Sequence, residues 1–316
     1  MFPMTEATSA IPFSVWRKIA MATWRPRTDP TISATIDIEA PQLLEYIDQV
    51  RHATGQHLTP VDLVGRAAGK VVEALPGLNG RVVFGSFRPS PTIDCFFVVS
   101  LRTDPVSGVE AARTDLSGTV VRRVNEKPPR VIAKELADCA GRIRHDNDPQ
   151  FKQIKAMVKG LPPLLLRPLM DGIGFVTESL QLALPFLGLE ARPYGSMLVS
   201  NVGTYGLDTA SAPVPTFCHV PITILLGAVT DKVLARDGKP VIRPVLPLTI
   251  NLDHRFVDGY QAATMARIFR EYLNDPAALD PVPTRIPPRK KQHASVRSNG
   301  KSPATARAGG SNPSNA

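Results

Sequence analysis

The stretch Asp253-His254-Arg255-Phe256-Val257-Asp258-Gly259 stands where a strand pattern gives way to a helical one. On its amino side Leu246, Leu248, Ile250 and Leu252 fall on every second position, the period of a strand with one buried face. Asp237-Gly238, a two-residue turn signal, predicts a hairpin leading into Val241–Leu252. On the carboxyl side Ala262, Met265, Ala266, Phe269 and Leu273 recur at steps of three and four, which predicts a helix over Gly259–Leu273. Asp258, with Gln261 three positions later, fits a helix N-cap, and His254 shares the parity of the apolar strand face, as a packed core histidine does. The same residues also fit a general base with a carboxylate four positions on, because an imidazole accepts a proton near neutrality. Both readings stand on this stretch alone.

Further out, Thr59-Pro60 reads as a helix start, and Leu63, Val64, Ala67, Ala68, Val71, Val72 and Leu75 form a broad apolar face stopped by Pro76-Gly77. A face of that width packs on a sheet. Strands are predicted over Thr31–Ile38, Arg81–Phe87, Ile93–Leu101, Thr119–Val124, Ser196–Val202 and Ile222–Val229, with a further helix from Pro129 to about Ile143. Residues 145–193 differ in composition and read as an inserted helical segment. Leu165, Leu169, Ile173, Val176, Leu180, Leu184 and Leu187 make one helical stripe that Pro168 and Pro185 bound or kink. Such a stripe packs on its own subunit, joins copies, covers a substrate channel or lies at an interface, while Arg167, Asp171 and Glu178 argue against a bilayer crossing.

The chain of 316 residues is 43% hydrophobic and 21% charged, enough to bury one large core or two ordinary ones. Its net charge of +9 is carried by the end of the chain: Arg285, Arg289, Lys290, Lys291, Arg297, Lys301 and Arg307 have no acid among them. The remaining 30 bases against 28 acids leave the body at +2, which argues against nucleic-acid binding as its main task. Residues 281–316, rich in Pro, Ser and Gly, lack the apolar content to fold, and residues 1–11 are expected to be a flexible N-terminus. A basic tail of this kind suits contact with an acidic partner. Cys95, Cys139 and Cys218 lack metal-ligand spacing and read as reduced buried thiols. With no secretory signal and no transmembrane segment, a cytoplasmic location is expected.

Asp253 to Gly259 resembles the Asp-His-Arg-x-x-Asp-Gly run of the acyltransferase component of 2-oxoacid dehydrogenase complexes, within the CoA-dependent acyltransferases that include chloramphenicol acetyltransferase. Two further stretches agree in order. Ser200-Asn201-Val202-Gly203 is similar to the family's Ser-Asn-x-Gly, and Trp16-Arg17-Lys18-Ile19-Ala20 to its amino-terminal Arg-Lys motif. Val71 to Val82 is similar to its helix, turn and strand.

The resemblance implies an α+β fold, a mixed sheet covered by helices, with a catalytic domain over residues 12–280. It implies that His254 takes the proton of the CoA or dihydrolipoamide thiol, that Ser200 donates to the tetrahedral oxyanion, and that Asp258 completes the site structurally through an ion pair with Arg17. Coenzyme A enters as a substrate, no metal is needed, and the expected assembly is a homotrimer or larger, His254 of one subunit facing Ser200 of another. No lipoyl-lysine segment occurs, so a lipoyl-bearing or other acyl-carrier protein is the implied partner. The chain departs from the family in Gly108-Val109-Glu110-Ala111-Ala112-Arg113, where an apolar strand is usual, and in residues 145–193. The alternatives are a non-catalytic scaffold of the same fold, or a membrane-associated acyl-handling protein.

Overall fold

The apolar alternation around Ile250 becomes the spine of a mixed sheet in the computed structural model, which describes residues 30–102, 114–144, 163–213 and 216–283. The strands are β1 (Thr31–Glu39), β2 (Gly80–Val83), β3 (Ser86–Pro89), β4 (Cys95–Arg102), β5 (Thr114–Val121), β6 (Met197–Asn201), β7 (Ile222–Leu226), β8 (Thr230–Arg236) and β9 (Lys239–Asp253). Seven form one sheet in the order β1-β9-β7-β6-β4-β5, with β8 paired to β9, while β2 and β3 form a separate hairpin. β6 runs parallel to β4 and β7, and the other pairings are antiparallel.

The helices are α1 (Pro41–Thr54), α2 (Pro60–Ala74), α3 (Pro129–Arg144), α4 (Pro163–Gly174), α5 (Gly259–Asn274) and α6 (Pro276–Leu279). Leu63, Ala67 and Val71 of α2 and Met265, Phe269 and Leu273 of α5 share a core with Val199, Ile224, Ile250 and Leu252 of the sheet. Two amphipathic helices thus bury their apolar stripes on one sheet face. The start of α2 is fixed by Asp62, whose carboxylate accepts from the Thr59 amide at 2.7 Å and the Thr59 hydroxyl at 2.8 Å.

The sheet's other face is polar along β9. Asn251 Oδ1 accepts from Ser33 Oγ at 2.7 Å and Ser211 Oγ at 2.8 Å, and the Thr35 and Thr249 hydroxyls lie 3.3 Å apart. Ser200 is aligned through Leu225 with Thr249, so it shares this face.

Three expectations change. The strand expected over Arg81–Phe87 is the hairpin β2–β3, turning at Phe84 (φ 48°) and Gly85 (φ 75°). Phenylalanine in a left-handed position carries no turn signal in the sequence. The strand expected over Thr119–Val124 is instead β5, and Val124 lies buried in the turn after it. The Leu165–Leu187 stripe is not one helix: α4 stops at Gly174, a π turn covers Phe175–Ser179, and a 3₁₀ turn covers Pro185–Leu187. Gly174 lies close against the Phe217 carbonyl, where a side chain would collide. Helix α1 was not anticipated. Arg17, the 1–11 segment, the Gly108–Arg113 departure, residues 145–162 and residues 284–316 of the basic tail lie outside the described residues, while Val282 at the tail's start packs against the core.

Candidate active site

His254 follows directly on the last residue of β9, at the sheet end where β6 and β7 begin. Its amide donates to the Pro30 carbonyl at 3.0 Å, and the Asp253 amide to Pro221 at 3.0 Å, so the turn is fastened on both flanks. Asp253 is buried, and its carboxylate takes Arg255 through the backbone amide (2.9 Å), Nε (3.0 Å) and Nη2 (2.6 Å). This bond holds the Arg255 guanidinium above its ordinary pKa. Phe256 and Val257 turn into the core, so His254 is held half-buried between an anchored strand and an anchored helix.

Asp258 is the N-cap of α5. Its Oδ1 accepts from the amides of Tyr260 at 3.0 Å and Gln261 at 3.3 Å, while Gln261 Oε1 accepts from the Asp258 amide at 2.9 Å. The expected cap is therefore present, and it fixes the loop that carries His254. The described residues do not include Arg17, so the expected ion pair has only one member here.

Ser200 lies half-buried in β6, toward its far end. The sheet register pairs Ser200 with Leu225 and Leu225 with Thr249, five residues before His254 on the same chain run. Five residues of extended chain are roughly 16 Å, and two strand spacings add roughly 10 Å across the sheet. Within one subunit, Ser200 and His254 are held apart at opposite ends of β6 and β7 and cannot act on the same atom.

Sequence reasoning missed two features beside His254. One is the Asp253–Arg255 clamp, which a charge pair two positions apart at a strand end could have signalled. The other joins Ser179 Oγ and His219 Nδ1 at 3.1 Å, between residues 40 positions apart, and has no local sequence signal. His219 adopts a left-handed backbone (φ 51°), a strained state for a non-glycine residue. Burial, with Arg81 and Arg255 nearby, pushes its imidazole below its ordinary pKa.

The segment that brings Ser179 is locked by buried charges. Glu178, fully buried, pairs with Arg81 of β2 and accepts from the Tyr194 amide at 2.9 Å. Burial pushes its carboxyl upward against the pull of Arg81. Arg81 also donates to the carbonyl of Gly195 at 3.1 Å. Gly195 is required there: its φ is +66°, and a side chain would meet the Asp94 carbonyl at 2.6 Å. Arg192 and Arg122 both reach Asp94 at 2.9 Å. Residues 175–195 are thus packed on their own subunit at the base of β6.

Cys95, Cys139 and Cys218 are free and buried, and burial raises the Cys95 and Cys218 thiols well above the usual range. None is placed as a nucleophile. Among the described residues no cluster of His, Cys, Asp and Glu could hold a metal ion, and no helix is long and apolar enough to cross a membrane.

Residues 190–280, which hold both Ser200 and His254, match the family model described as 2-oxoacid dehydrogenases acyltransferase (catalytic domain). The chain resembles the catalytic core of these acyltransferases. It is 34% identical over 95 residues to a probable dihydrolipoyllysine-residue succinyltransferase component of the 2-oxoglutarate dehydrogenase complex from Schizosaccharomyces pombe, covering 29% of this chain and 20% of the relative. It is 34% identical over 85 residues to the dihydrolipoyllysine-residue acetyltransferase component of the Bacillus subtilis pyruvate dehydrogenase complex, covering 27% and 19%. The chain thus matches about a fifth of the length of these curated relatives.

The fold match is wider. The cubic core of the pyruvate dehydrogenase multienzyme complex aligns with a TM-score of 0.57 at 18% identity, over 88% of this chain and 98% of that one. An Azotobacter vinelandii dihydrolipoamide acetyltransferase, studied for a serine, a histidine and an asparagine in its catalytic mechanism, aligns with a TM-score of 0.56 at 17% identity, over 88% and 98%. The α+β reading, a mixed sheet covered by helices in the manner of these cores, is the observed fold.

Proposed function

We propose that this chain is an acyltransferase that moves an acyl group between coenzyme A and a thiol such as dihydrolipoamide, with His254 as general base. The observation that carries this reading is the anchored strand-to-helix turn bearing His254 inside the stretch that matches the acyltransferase family model. In the Azotobacter relative the named histidine and asparagine are four positions apart, the spacing of His254 and Asp258 here. Aspartate in place of asparagine suits the cap and, by the family resemblance, an ion pair with Arg17.

The transfer is a balanced exchange of thioesters. His254 takes the proton of the attacking thiol, whose pKa near 8.5 leaves it mostly protonated at neutrality. The new C–S bond forms as the carbonyl oxygen gains charge, and the Ser200 hydroxyl donates to that oxyanion. When the intermediate collapses, the old C–S bond breaks and the imidazolium returns its proton to the departing thiolate.

Because Ser200 and His254 stand apart within a subunit, this chemistry requires a second copy to bring its serine to the first copy's histidine. A homotrimer with shared sites meets that need, and a lipoyl-bearing or other acyl-carrier protein is the proposed partner. The catalytic domain spans residues 12–280 on this reading, residues 145–193 being an insertion within it.

The test offers the purified chain a panel of acyl-CoA donors with free dihydrolipoamide and identifies products by mass spectrometry. His254→Ala is expected to lose ~10²-fold or more in turnover with unchanged mass and circular dichroism. Near-normal turnover in that variant would make His254 a packing residue and overturn the reading.

A further inference from the structure

Ser179 Oγ and His219 Nδ1 meet at 3.1 Å, just ahead of the strand that fastens the His254 turn. The His219 backbone is left-handed, with φ 51°, and a non-glycine residue keeps that state only where its surroundings hold it. On either side Cys218 and Val220 are buried with Leu198, so the turn at His219 sets where Pro221 comes to lie. Beyond those two buried flanks, the Ser179 bond is what ties the half-buried His219 side chain in place.

Two links carry this turn to His254. The Pro221 carbonyl accepts from the Asp253 amide at 3.0 Å, and the Asp253 carboxylate in turn holds Arg255 at 2.6 Å. The Arg255 guanidinium also acts on the His219 ring directly. Charged groups reach that ring from each side: Arg81 from β2, Asp171 from α4 and Arg255 from the His254 turn, while Glu178, next to Ser179, is paired with Arg81. Burial and the two guanidiniums hold the imidazole below its ordinary pKa, and Asp171 opposes them from an exposed position. Burial keeps the Cys218 thiol and the Tyr194 phenol protonated, so they add no charge.

We propose that His219 is a pH-dependent positioning residue for His254: neutral, it latches the Ser179 segment to the start of β7 and keeps Pro221 under the Asp253 amide; protonated, it loosens that turn. This rests on the acyltransferase reading, in which His254 does the chemistry, and adds a control of the same site by acid. The neutral ring accepts the Ser179 hydroxyl at Nδ1, whereas an imidazolium has no acceptor left and sets a third cation beside Arg81 and Arg255. The strained backbone supplies the second state. Released from Ser179, His219 relaxes toward negative φ and carries Pro221 with it.

The test is hydrogen–deuterium exchange by mass spectrometry on the full chain at pH 7.5 and pH 5.5, corrected for intrinsic rates and read in the peptide holding the Asp253 and His254 amides. The parent is expected to lose protection ~10-fold between the two, the scale of an ordinary coupling between sites. His219→Asn keeps a hydrogen-bonding group at the place of Nδ1 and tolerates the left-handed backbone, yet does not titrate. Its protection should change less than ~2-fold. Ser179→Ala, which lacks the latch, should show the low protection at both pH values. Acyl transfer gives a second readout: on the acid side log kcat falls by about two per pH unit in the parent and about one in His219→Asn, where His254 alone titrates. Protection that falls alike in His219→Asn and the parent, that stays constant in the parent, or that Ser179→Ala retains at pH 7.5 overturns the latch and leaves the acyltransferase reading intact. Equal slopes in an active enzyme overturn it as well. The expected exchange pattern without transfer from any acyl-CoA donor upholds the latch and removes the reading.

Discussion

Ser200 and His254 occupy opposite ends of the two short parallel strands β6 and β7, one on the strand's last turn of alternation and the other beyond the start of its neighbour. The register leaves no freedom in this. Sliding β9 by one residue to bring them nearer would exchange Ile250 and Leu252 in the core for Thr249 and Asn251. The separation is as firmly specified as the hydrophobic core itself, and any shared chemistry must run between copies.

Mixed assemblies test this directly. When His254→Ala and Ser200→Ala chains are co-expressed and allowed to assort, a site between copies regains an intact serine and histidine wherever a Ser200→Ala subunit's histidine meets a His254→Ala subunit's serine. Random assortment into a ring predicts that about a quarter of the sites recover. Each variant alone should be low in activity. If co-assembly recovers nothing above the single variants, the two residues do not meet across an interface.

Asp258 separates two roles by chemistry. Its Oδ1 caps α5 through two amides, and asparagine caps a helix about as well as aspartate. Asp258→Ala is expected to lower stability by about 1 kcal/mol, and Asp258→Asn to keep it, as followed by urea unfolding. The proposed ion pair with Arg17 would add a charge that asparagine lacks, so on that proposal turnover should fall in Asp258→Asn. A double-mutant cycle with Arg17→Ala should then show coupling of about 0.5 kcal/mol or more. Full activity in Asp258→Asn would leave the cap as its whole role.

The parts legible in the sequence were those with a local period or a local cap. β9, α2 and α5 follow from alternation, from three-and-four spacing, and from the Thr59-Pro60 start and the Asp258–Gln261 pair. What stayed hidden depends on partners distant in sequence. The Leu165–Leu187 stripe kept helical spacing through Gly174, yet the close Phe217 carbonyl and the pull of Arg81 on Glu178 turn the chain out of the helix there. The His219–Ser179 bond is of the same kind. For the candidate site, His254 and Ser200 were visible as motif residues, but only the register revealed how far apart a single chain holds them.

Arg81 and Glu178 offer a further check. With Arg81→Met, the Glu178 carboxyl keeps its burial and loses its cation, a change expected to cost about 3–5 kcal/mol at neutral pH. Without the arginine its folded pKa rises further, and a group with a raised folded pKa contributes stability at low pH that is lost as pH rises. The deficit of the variant should therefore be smaller at pH 5 than at pH 8, measured as the difference in unfolding free energy from the parent. An equal deficit at both would mean that Glu178 titrates alike with and without Arg81, and would overturn this coupling.

Asp62 gives the clearest pH signature in the fold. Burial at the start of α2 raises its carboxyl from 3.8 to about 6, although the Thr59 bonds and His57 oppose the rise. Below about pH 4 both folded and unfolded chains hold the proton, and the residue has no effect on the slope. Between pH 4 and 6 the folded chain keeps a proton that the unfolded chain has released, so folding loses stability as pH rises through this window. Above pH 6 both are ionised and the loss is complete, on the order of 3 kcal/mol. Asp62→Asn removes the titrating group while keeping an acceptor for Thr59. Relative to the parent, the variant should therefore gain about that amount between pH 4 and pH 7.5 in urea unfolding. A difference that stays constant across the window would show that Asp62 ionises at its ordinary pKa in the folded chain.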